Sequence, residues 1–357
     1  MTVNRTIVEI IFFAACLVGI VSCATEHRIK YEAPRFEEVL SASFELLTED
    51  RPWGGTSKIY KYGDVLAVVT SEPGYSEKPG TWLHIFDLAG NHLSDLIAYG
   101  RGPFDAGTIT RADQKENLLY MLDYSGSKLL TGDLATVAAD GYGAVDSFDI
   151  PQENRLASHF VLPGGNVLRI HNPSFNEPDS LYRIQLYSRE GTLICKDDHS
   201  PYTECDAKTR FYLETASSRQ AISPDGRHLA IAIGVGAILE IFTIENTSVS
   251  DVVTKYFIKP ELARTPDGVS INEKTVAGFN YLFPTDGLLY AAYDGENFFG
   301  KSSPVYKNIA VFDWEGNALK EIRTDYRIES FCTENGKEFY AVVNDAEGRA
   351  FIATLNI

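Results

Sequence analysis

The sequence predicts an all-β protein, a six-bladed β-propeller with four-stranded antiparallel blades whose ring is closed by an N-terminal strand. Three observations lead to this fold class. A polar turn followed by a strand-like run occurs six times, a second hairpin follows most of these turns, and one strand-like segment near the N-terminus belongs to no repeat. The 20 Phe, 19 Tyr and 28 Gly among 357 residues are typical of aromatic strands joined by glycine turns.

The first repeated element is a turn rich in Gly, Asp or Asn that leads directly into β-branched and aromatic residues. The six turns are centred on Gly63, Glu116, Gly164, Gly226, Gly287 and Gly336. Their successive spacings are 53, 48, 62, 61 and 49 residues, enough for two short hairpins in each repeat. Sheets that bury both faces only against their neighbours favour a closed ring.

The second repeated element is the pattern Phe-Asp-x-x-Gly-Asn-x-Leu, which begins at Phe86 and again at Phe312. Glycine suits the turn because the chain adopts a positive φ where two paired strands reverse. Asp87 and Asp313 occupy equivalent positions in the two copies. We therefore expect them to accept turn hydrogen bonds rather than to bind calcium or to act in catalysis.

The last repeat is one strand short, and we expect residues 36–47 to supply that strand and close the ring. The alternative architecture is a pair of β-sandwich domains, although no linker or charge block divides the chain. Only two segments, 260–276 and 209–218, have a spacing of apolar residues that could form a helix of more than a turn or two.

The N-terminus predicts export. Residues 10–21 are apolar or small, which is too short for a membrane-spanning helix but typical of a signal peptide. The motif Ile20-Val21-Ser22-Cys23 that follows resembles the lipobox of bacterial lipoproteins. This resemblance implies cleavage after residue 22 and a lipid on Cys23. The alternatives are a signal peptide without a lipid, or a buried strand that contains a cysteine.

The expected organisation is a signal peptide over 1–22, a lipidated tether over 23–35 and a single propeller over 36–357. The lipid would place the protein in the cell envelope, anchored to the outer membrane. Glu26 is the only acidic residue among the five that follow Cys23, so the acid-rich surface-export signal of some lipoproteins is not matched. Display on the periplasmic face or on the cell surface stays open.

The net charge of −17 makes nucleic acid a poor candidate partner, because such a chain repels phosphate backbones. In an exported protein, Cys195 and Cys205 could close a short disulfide-bonded loop, or they could be two unpaired thiols. No cysteine or histidine pair has the spacing of zinc ligands. We expect neither a metal nor a cofactor.

The chain as a whole resembles the TolB-like six-bladed propeller lipoproteins of Gram-negative bacteria, which are close in architecture to NHL-type propellers. The resemblance rests on the Phe-Asp-x-x-Gly-Asn turns, on the hairpin at Ser223-Pro224-Asp225-Gly226 and on the loop Tyr99-Gly100-Arg101-Gly102-Pro103-Phe104. In the family a similar loop enters the innermost strand of a blade. The residues after Pro103 depart from the family pattern. The resemblance implies the fold and the location more firmly than any activity.

Propellers bind ligands at the mouth of the central channel, where the innermost strands and their loops converge. Arg101, between two glycines, could present its guanidinium there to a carboxylate or to sugar hydroxyls. The alternative for Arg101 is an ion pair with a neighbouring blade. Trp53, Trp82 and Phe298 lie in aromatic loops that could stack on sugars, but such residues can equally fill the space between blades.

The sequence contains no nucleophile elbow, phosphate-binding loop or zinc-protease motif, so no catalytic residue is assigned. The leading hypothesis is a monomeric binding or scaffold module that takes a protein or a glycan. The alternative is a propeller enzyme of the lactonase or glycan lyase or hydrolase type, with a metal-assisted site in the channel. Three or more acid, amide or imidazole groups converging in the channel would favour the enzyme.

Overall fold

The computed structural model describes residues 29–49, 54–72, 80–136, 145–149, 158–170, 183–203, 205–215, 217–266, 268–299 and 306–357. The predicted signal peptide and Cys23 lie outside these ranges. Within them, no helix has the length and apolarity that crossing a membrane requires. Six sheets of four or five strands form the blades of a β-propeller, as the repeats predict.

The strands are numbered along the chain. Two short strands come first, β1 (Glu38–Ser41) and β2 (Glu45–Leu46). Blades 1 to 3 contain β3 (Gly54–Tyr62), β4 (Val65–Glu72), β5 (Thr81–Asp87), β6 (His92–Ala98), β7 (Ile109–Lys115), β8 (Leu118–Asp123), β9 (Lys128–Asp133), β10 (Val145–Asp149), β11 (Ser158–Val161), β12 (Val167–Ile170), β13 (Ile184–Tyr187) and β14 (Leu193–Asp197). A helix, α1 (Ala207–Thr215), precedes blade 4.

The remaining strands complete the ring. Blade 4 and the hairpin that follows it contain β15 (Ser218–Ile222), β16 (His228–Ile233), β17 (Ala237–Ile244), β18 (Val249–Ile258), β19 (Leu262–Thr265) and β20 (Gly268–Ile271). Blades 5 and 6 contain β21 (Phe279–Pro284), β22 (Leu289–Tyr293), β23 (Asn308–Phe312), β24 (Ala318–Arg323), β25 (Arg327–Thr333), β26 (Glu338–Asn344) and β27 (Ala350–Asn356).

The first strand of each blade is the innermost one. Strand β25 contacts β3, β21 contacts β25, and β15 contacts β21, so these first strands meet around the channel. Neighbouring strands within a blade run antiparallel, which places two sets of connections on opposite faces of the ring. We call the face with the turn between the first and second strands the turn face. The face with the connections between blades is the loop face.

The six predicted turns all join the first strand of a blade to the second. Gly63, Gly164, Gly226 and Gly336 adopt positive φ there, between 55° and 92°. This conformation favours glycine because it has no Cβ to clash with the backbone. Glu116 takes the same place in blade 2 with a φ of 53°. The repeat spacing in the sequence therefore reports the number and order of the blades correctly.

Asp87 and Asp313 bind their turns as expected. Asp87 Oδ1 accepts hydrogen bonds from the backbone N–H groups of Ala89 (3.0 Å) and Asn91 (2.8 Å), and Oδ2 accepts one from Asn91 Nδ2 (2.8 Å). Asp313 makes the equivalent three bonds in blade 5. The bonds from Asn91 lower the pKa of Asp87, because they stabilise its ionised form. Both aspartates hold the hairpin between the third and fourth strands.

The N-terminal segment closes the ring, with one difference from the expectation of a single strand. Strand β2 pairs antiparallel with β27 and becomes the fourth strand of blade 6. Strand β1 instead pairs parallel with β24 as a fifth strand of blade 5. Farther upstream, Glu32 N donates to Tyr256 O (2.9 Å) on blade 4. The segment thus follows the outer edge of three blades. Its first described residues, 29–35, belong to the predicted tether.

Of the two segments that could form a helix, 209–218 is largely helical, whereas the prediction for 260–276 is wrong. Helix α1 begins after Asp206, whose Oδ1 accepts from Lys208 N (3.1 Å) and Thr209 N (3.2 Å) and so caps the free N–H groups of the first turn. The segment 260–276 forms the β19–β20 hairpin instead. Its Thr-Pro-Asp-Gly sequence is a turn signal that outweighs the spacing of its apolar residues.

The core lies between the blades. One buried cluster contains Ile85 of blade 1 and Met121 of blade 2, and another contains Phe86 of blade 1 and Cys332 of blade 6. Full burial of a side chain such as Phe86 stabilises the fold by about 1.5–3 kcal/mol. Cys195 and Cys205 pack in two separate clusters, and no disulfide bond joins them.

Candidate binding site in the central channel

The innermost strands carry irregularities near the loop face. The pairing register shifts between Ile109 and Arg111 in β7, between Phe279 and Tyr281 in β21, and between Ile328 and Ser330 in β25. A residue inserted into one strand redirects the neighbouring side chains, and such bulges are common beside binding and active sites. The end of the channel at the loop face is therefore a candidate position for a functional site.

Lys58 lies on β3 and reaches the strand of the next blade. Its Nζ donates to Ala112 O of β7 at 3.1 Å. The hydroxyl of Tyr60, two residues along the same side of β3, donates to the same carbonyl. Residues two apart in a strand share a face, so both side chains lie on one side of the innermost strand. The carbonyl of Ala112 would keep one donor if Lys58 were neutralised.

The second and third blades contribute a charged pair and an aromatic ring. Arg111 Nε donates to Asp113 Oδ2 at 2.5 Å on the same face of β7. The guanidinium of Arg111 also lies 4.1 Å above the centre of the Phe160 ring, which belongs to β11. Stacking of a cation on an aromatic ring is favourable and keeps the planar group in place. This contact links the innermost strands of blades 2 and 3.

Blades 4 to 6 add a second group of polar side chains. Arg219 Nε donates to Asn280 O (2.7 Å), and Asn280 Nδ2 in turn donates to Ile328 O (3.5 Å). Glu329 Oε1 accepts from Asn344 Nδ2 (2.8 Å) and from Arg327 (3.0 Å). Glu329 Oε2 is buried and has no hydrogen-bond partner among the described residues, so it can accept one further donor.

These charges act on one another across the ring. Burial lowers the pKa of Lys58, Asp113 opposes that effect, and the charges of Arg111 and Arg219 lower the pKa further. Lys58 and Arg219 belong to blades 1 and 4, which are separated by two blades. Both residues lie on innermost strands, β3 and β15, which surround the central channel.

In the described residues of the innermost strands, lysines and arginines outnumber acids, although the protein has a net charge of −17. Arg111 is paired with Asp113, and Arg327 with Glu329. Lys58 and Arg219 donate to backbone carbonyls, and neither lies within ion-pair distance of a carboxylate among the described residues. Asp113 and Glu329 act on these two cations only from beyond ion-pair distance, so Lys58 and Arg219 could still pair with an anion.

Arg101 lies on the loop face, in the connection that leads from β6 into β7, as the family pattern implies. The loop is held by Lys128, whose Nζ donates to Gly102 O (2.8 Å) and Asp105 O (2.9 Å). Arg101 itself is exposed. No ion pair joins it to an acid in the part of the chain that the structure describes. Its role in ligand binding stays a prediction.

The aromatic residues suggested by the sequence lie in different environments. Trp82 is in the core, 2% exposed, and its Nε1 donates to Ala106 O at 2.9 Å. Phe298 is half-buried on the loop face, whereas its neighbour Phe299 is 60% exposed. Trp53 lies outside the described residues. Trp82 therefore packs between blades 1 and 2, which is the alternative that the sequence left open for it.

A second polar cluster, which the sequence analysis missed, lies away from the channel on blade 1. His84, His92 and Asp95 bring two imidazole nitrogens and a carboxylate oxygen within 4.8 Å of one another. The signal was present in the predicted hairpin, because its register places His84 opposite Asp95. Sequence separation alone does not reveal the cluster, because His84 and Asp95 come together by pairing across two strands.

Comparison with known proteins identifies the family to which the fold corresponds. The model of the TolB-like 6-blade propeller-like family matches residues 114–336. No curated protein has a significant sequence match. A protein of Bacteroides fragilis described as exported superposes with a TM-score of 0.54 and 12% identity, over 92% of this chain and 98% of that one. A DUF4221 member from Bacteroides vulgatus superposes with a TM-score of 0.55 and 10% identity, over 88% of this chain and 95% of that one. At these identities the structural likeness concerns the fold.

Proposed function

The chain belongs to the TolB-like family of six-bladed propellers, and on this premise we propose that it is a lipid-anchored binding protein of the cell envelope. The proposed ligand is a glycan that carries carboxylate groups. The observation that supports this ligand is the pair of cations, Lys58 and Arg219, that face the channel without a carboxylate partner among the described residues.

A carboxylate in the channel would form charge-assisted hydrogen bonds with these two groups, which are stronger than bonds between neutral partners. The acidic outer surface would repel long polyanions, so only a short acidic group that reaches the channel would gain this energy. Exposed Arg101 and Phe299 on the loop face would contact the part of the glycan outside the channel.

The alternative of a metal-assisted enzyme requires acid, amide or imidazole groups that converge on one point of the channel. Among the described residues, the cluster of this kind lies on the outer part of blade 1. The described residues of the channel are instead rich in cations, which would repel a divalent metal ion. The geometry therefore supports binding better than metal-assisted catalysis.

The support for a lipid anchor comes from the sequence. The apolar stretch over 10–21 and the lipobox-like motif ending at Cys23 support export and lipidation. A similar propeller from Bacteroides fragilis is described as exported, which agrees with this location. The N-terminal segment approaches the outer edge of blades 4 to 6, so a lipid at Cys23 would hold the propeller by its side and leave both faces accessible.

A binding screen with matched ligands tests the proposal. The mature protein, produced without its lipid, would be applied to oligosaccharides of uronic acids and to their methyl esters, which have the same rings without the charge. We expect binding of the acids that weakens as salt increases, and little binding of the esters. Equal binding of acids and esters, or binding of neither, would overturn the proposed ligand class.

A further inference from the structure

The hairpin formed by β5 and β6 brings three potential metal ligands together on one face of blade 1. His84 lies on β5, directly opposite Asp95 on β6. His92 also lies on β6, three residues before Asp95, and residues three apart in a regular strand point to opposite faces. The register shifts between Ile85 and Phe86, so that Leu93 is an extra residue. This bulge returns His92 to the face that carries Asp95.

The three side chains already converge on one atom. Asp95 Oδ1 lies 2.7 Å from His84 Nδ1 and 2.7 Å from His92 Nε2. The ring of His92 packs edge-on against buried Phe86, with centroids 5.3 Å apart, which restricts the orientation of the imidazole. The side chains of His92 and Asp95 are 29% and 45% exposed. Solvent and ions can therefore reach the cluster from outside.

We propose that His84, His92 and Asp95 form a binding site for a divalent transition metal ion, and that Zn²⁺ fits this donor set best. Two imidazoles and one carboxylate are a common set of protein ligands for Zn²⁺, which binds them at about 2.0–2.2 Å and leaves a fourth position for water. Imidazole nitrogen disfavours the harder ions Ca²⁺ and Mg²⁺, which prefer oxygen ligands.

The ion fits if the three ligand atoms, which lie within 4.8 Å of one another, move to the spacing that it requires. Ligand atoms of a tetrahedral Zn²⁺ lie about 3.3 Å apart, so the two contacts of Asp95 would lengthen by about 0.6 Å. The half-exposed carboxylate can rotate to allow this. Each neutral imidazole would bind the metal through the nitrogen that now faces Asp95 and would hold its proton on the other ring nitrogen. No redox change or further reactant is involved.

A metal ion at this position should stabilise the fold near the closure of the ring. The turn between β5 and β6 lies against the segment that closes the ring, because Gly90 packs so closely on Leu47 that a Cβ at position 90 would lie 2.6 Å from Leu47 O. A metal that holds β5 to β6 would stabilise the blade beside this closure. Zn²⁺ should therefore raise the temperature of unfolding as its concentration increases.

Calorimetric titration of the mature, untagged protein with Zn²⁺ tests the site. We expect one ion per chain, binding at least about tenfold weaker in His92→Gln and in Asp95→Asn, and unchanged binding in the control His228→Gln, whose ring stacks on Trp314 in another blade. The rise in unfolding temperature should disappear in the same two variants. Circular dichroism of each variant would establish that it is folded.

A second measurement does not depend on the variants. Anomalous scattering from a crystal soaked in Zn²⁺ should locate an ion bonded to His84, His92 and Asp95. The absence of Zn²⁺ binding at micromolar concentrations, unchanged affinity in His92→Gln, or an ion bound elsewhere would overturn the proposal. None of these results bears on the channel, so the proposed function is tested separately.

Discussion

Arg183 and Glu240 form a buried, two-point ion pair that joins blade 3 to blade 4. Arg183 Nη1 donates to Glu240 Oε1 at 2.8 Å, and Arg183 Nη2 donates to Glu240 Oε2 at 2.7 Å. The two residues are only 5% and 1% exposed. Removing one partner of such a pair leaves a buried charge without compensation, whereas removing both does not.

We predict that Glu240→Gln lowers the free energy of unfolding by about 3–5 kcal/mol, because Arg183 would then be a buried, unpaired cation. The double variant Arg183→Met/Glu240→Leu should lose much less. Glu38→Gln, which breaks the exposed pair with Lys320, should cost less than about 1 kcal/mol and serves as the control. Urea unfolding measures all three. A double variant less stable than Glu240→Gln would contradict this account of the pair.

Gly278 lies at a close approach of two backbone segments. Its N–H donates to Gly234 O at 2.7 Å, and a Cβ at this position would overlap Gly236 O. We predict that Gly278→Ala lowers the free energy of unfolding by about 2–4 kcal/mol, because the backbone must move to admit the methyl group.

The matched control for Gly278 is Gly287→Ala, in the turn of blade 5. A Cβ at position 287 would have no heavy atom within 4 Å, and its φ is not in the left-handed region. Its stability should change by less than about 0.5 kcal/mol. Similar unfolding temperatures for the two alanine variants would show that the contact at Gly278 is looser than described.

Asp294, on the loop face of blade 5, should make stability depend on pH. Burial and the nearby charge of Glu296 raise the pKa of Asp294 from 3.8 to about 6. The folded protein thus holds this proton more tightly than the unfolded chain does, so its stability falls as the pH rises from about 4 to 6. Asp294→Asn cannot ionise and should be more stable than the wild type by about 1–2 kcal/mol at pH 7.

Unfolding of both proteins between pH 3 and pH 8 measures this effect. The difference between Asp294→Asn and the wild type should approach zero near pH 3, below both pKa values of the carboxyl, where it is largely protonated in the folded and in the unfolded state. A constant difference across the whole range would mean that the ionisation of Asp294 does not affect folding.

Cys23 should carry the lipid in a Gram-negative host. We predict that Cys23→Ser no longer incorporates labelled palmitate and leaves the membrane fraction. Cys16→Ser, which changes a cysteine within the apolar stretch of the signal peptide, should behave like the wild type. Labelling and membrane fractionation of the three proteins decide the point. Palmitate incorporated by Cys23→Ser would exclude this cysteine as the lipidation site.

The architecture was predictable because its signals are local. A turn such as the one at Gly63 needs a residue that tolerates positive φ, and the strand after it favours β-branched and aromatic residues. Each blade can therefore be recognised by this pattern in the sequence. The path of the N-terminal segment was only partly predictable. Strand β2 closes blade 6, which the repeats leave one strand short, as expected. Blade 5 already has four strands of its own, and no local pattern specifies the parallel pairing of β1 with it.

The candidate site was harder to predict because its residues come from different blades. The sequence drew attention to Arg101 and Trp82, which stand out among their neighbours, but Trp82 is a core residue. Lys58 and Arg111 are inconspicuous in sequence. Both lie five residues before the centre of a repeated turn, at Gly63 and Glu116, and counting back from the turns could have found them. The sequence could not show how far apart their charges lie across the ring.

The central claim is that the channel cations bind the ligand, and removing the charge of Lys58 tests it. Lys58→Met removes one of the two unpaired channel cations, while Tyr60 still donates to Ala112 O, so the fold should be retained. Lys61→Met removes the same charge from the same strand, but Lys61 binds Glu334 on the turn face and should not affect the ligand. Arg219→Gln tests the second cation.

The most direct measurement is calorimetric titration of the wild type and these three variants with an acidic oligosaccharide found in the screen. Loss of one charge-assisted contact should weaken binding by about ten- to hundredfold in Lys58→Met and in Arg219→Gln, and Lys61→Met should bind like the wild type. Equal affinities in all four proteins would contradict the proposal that the channel cations hold the ligand.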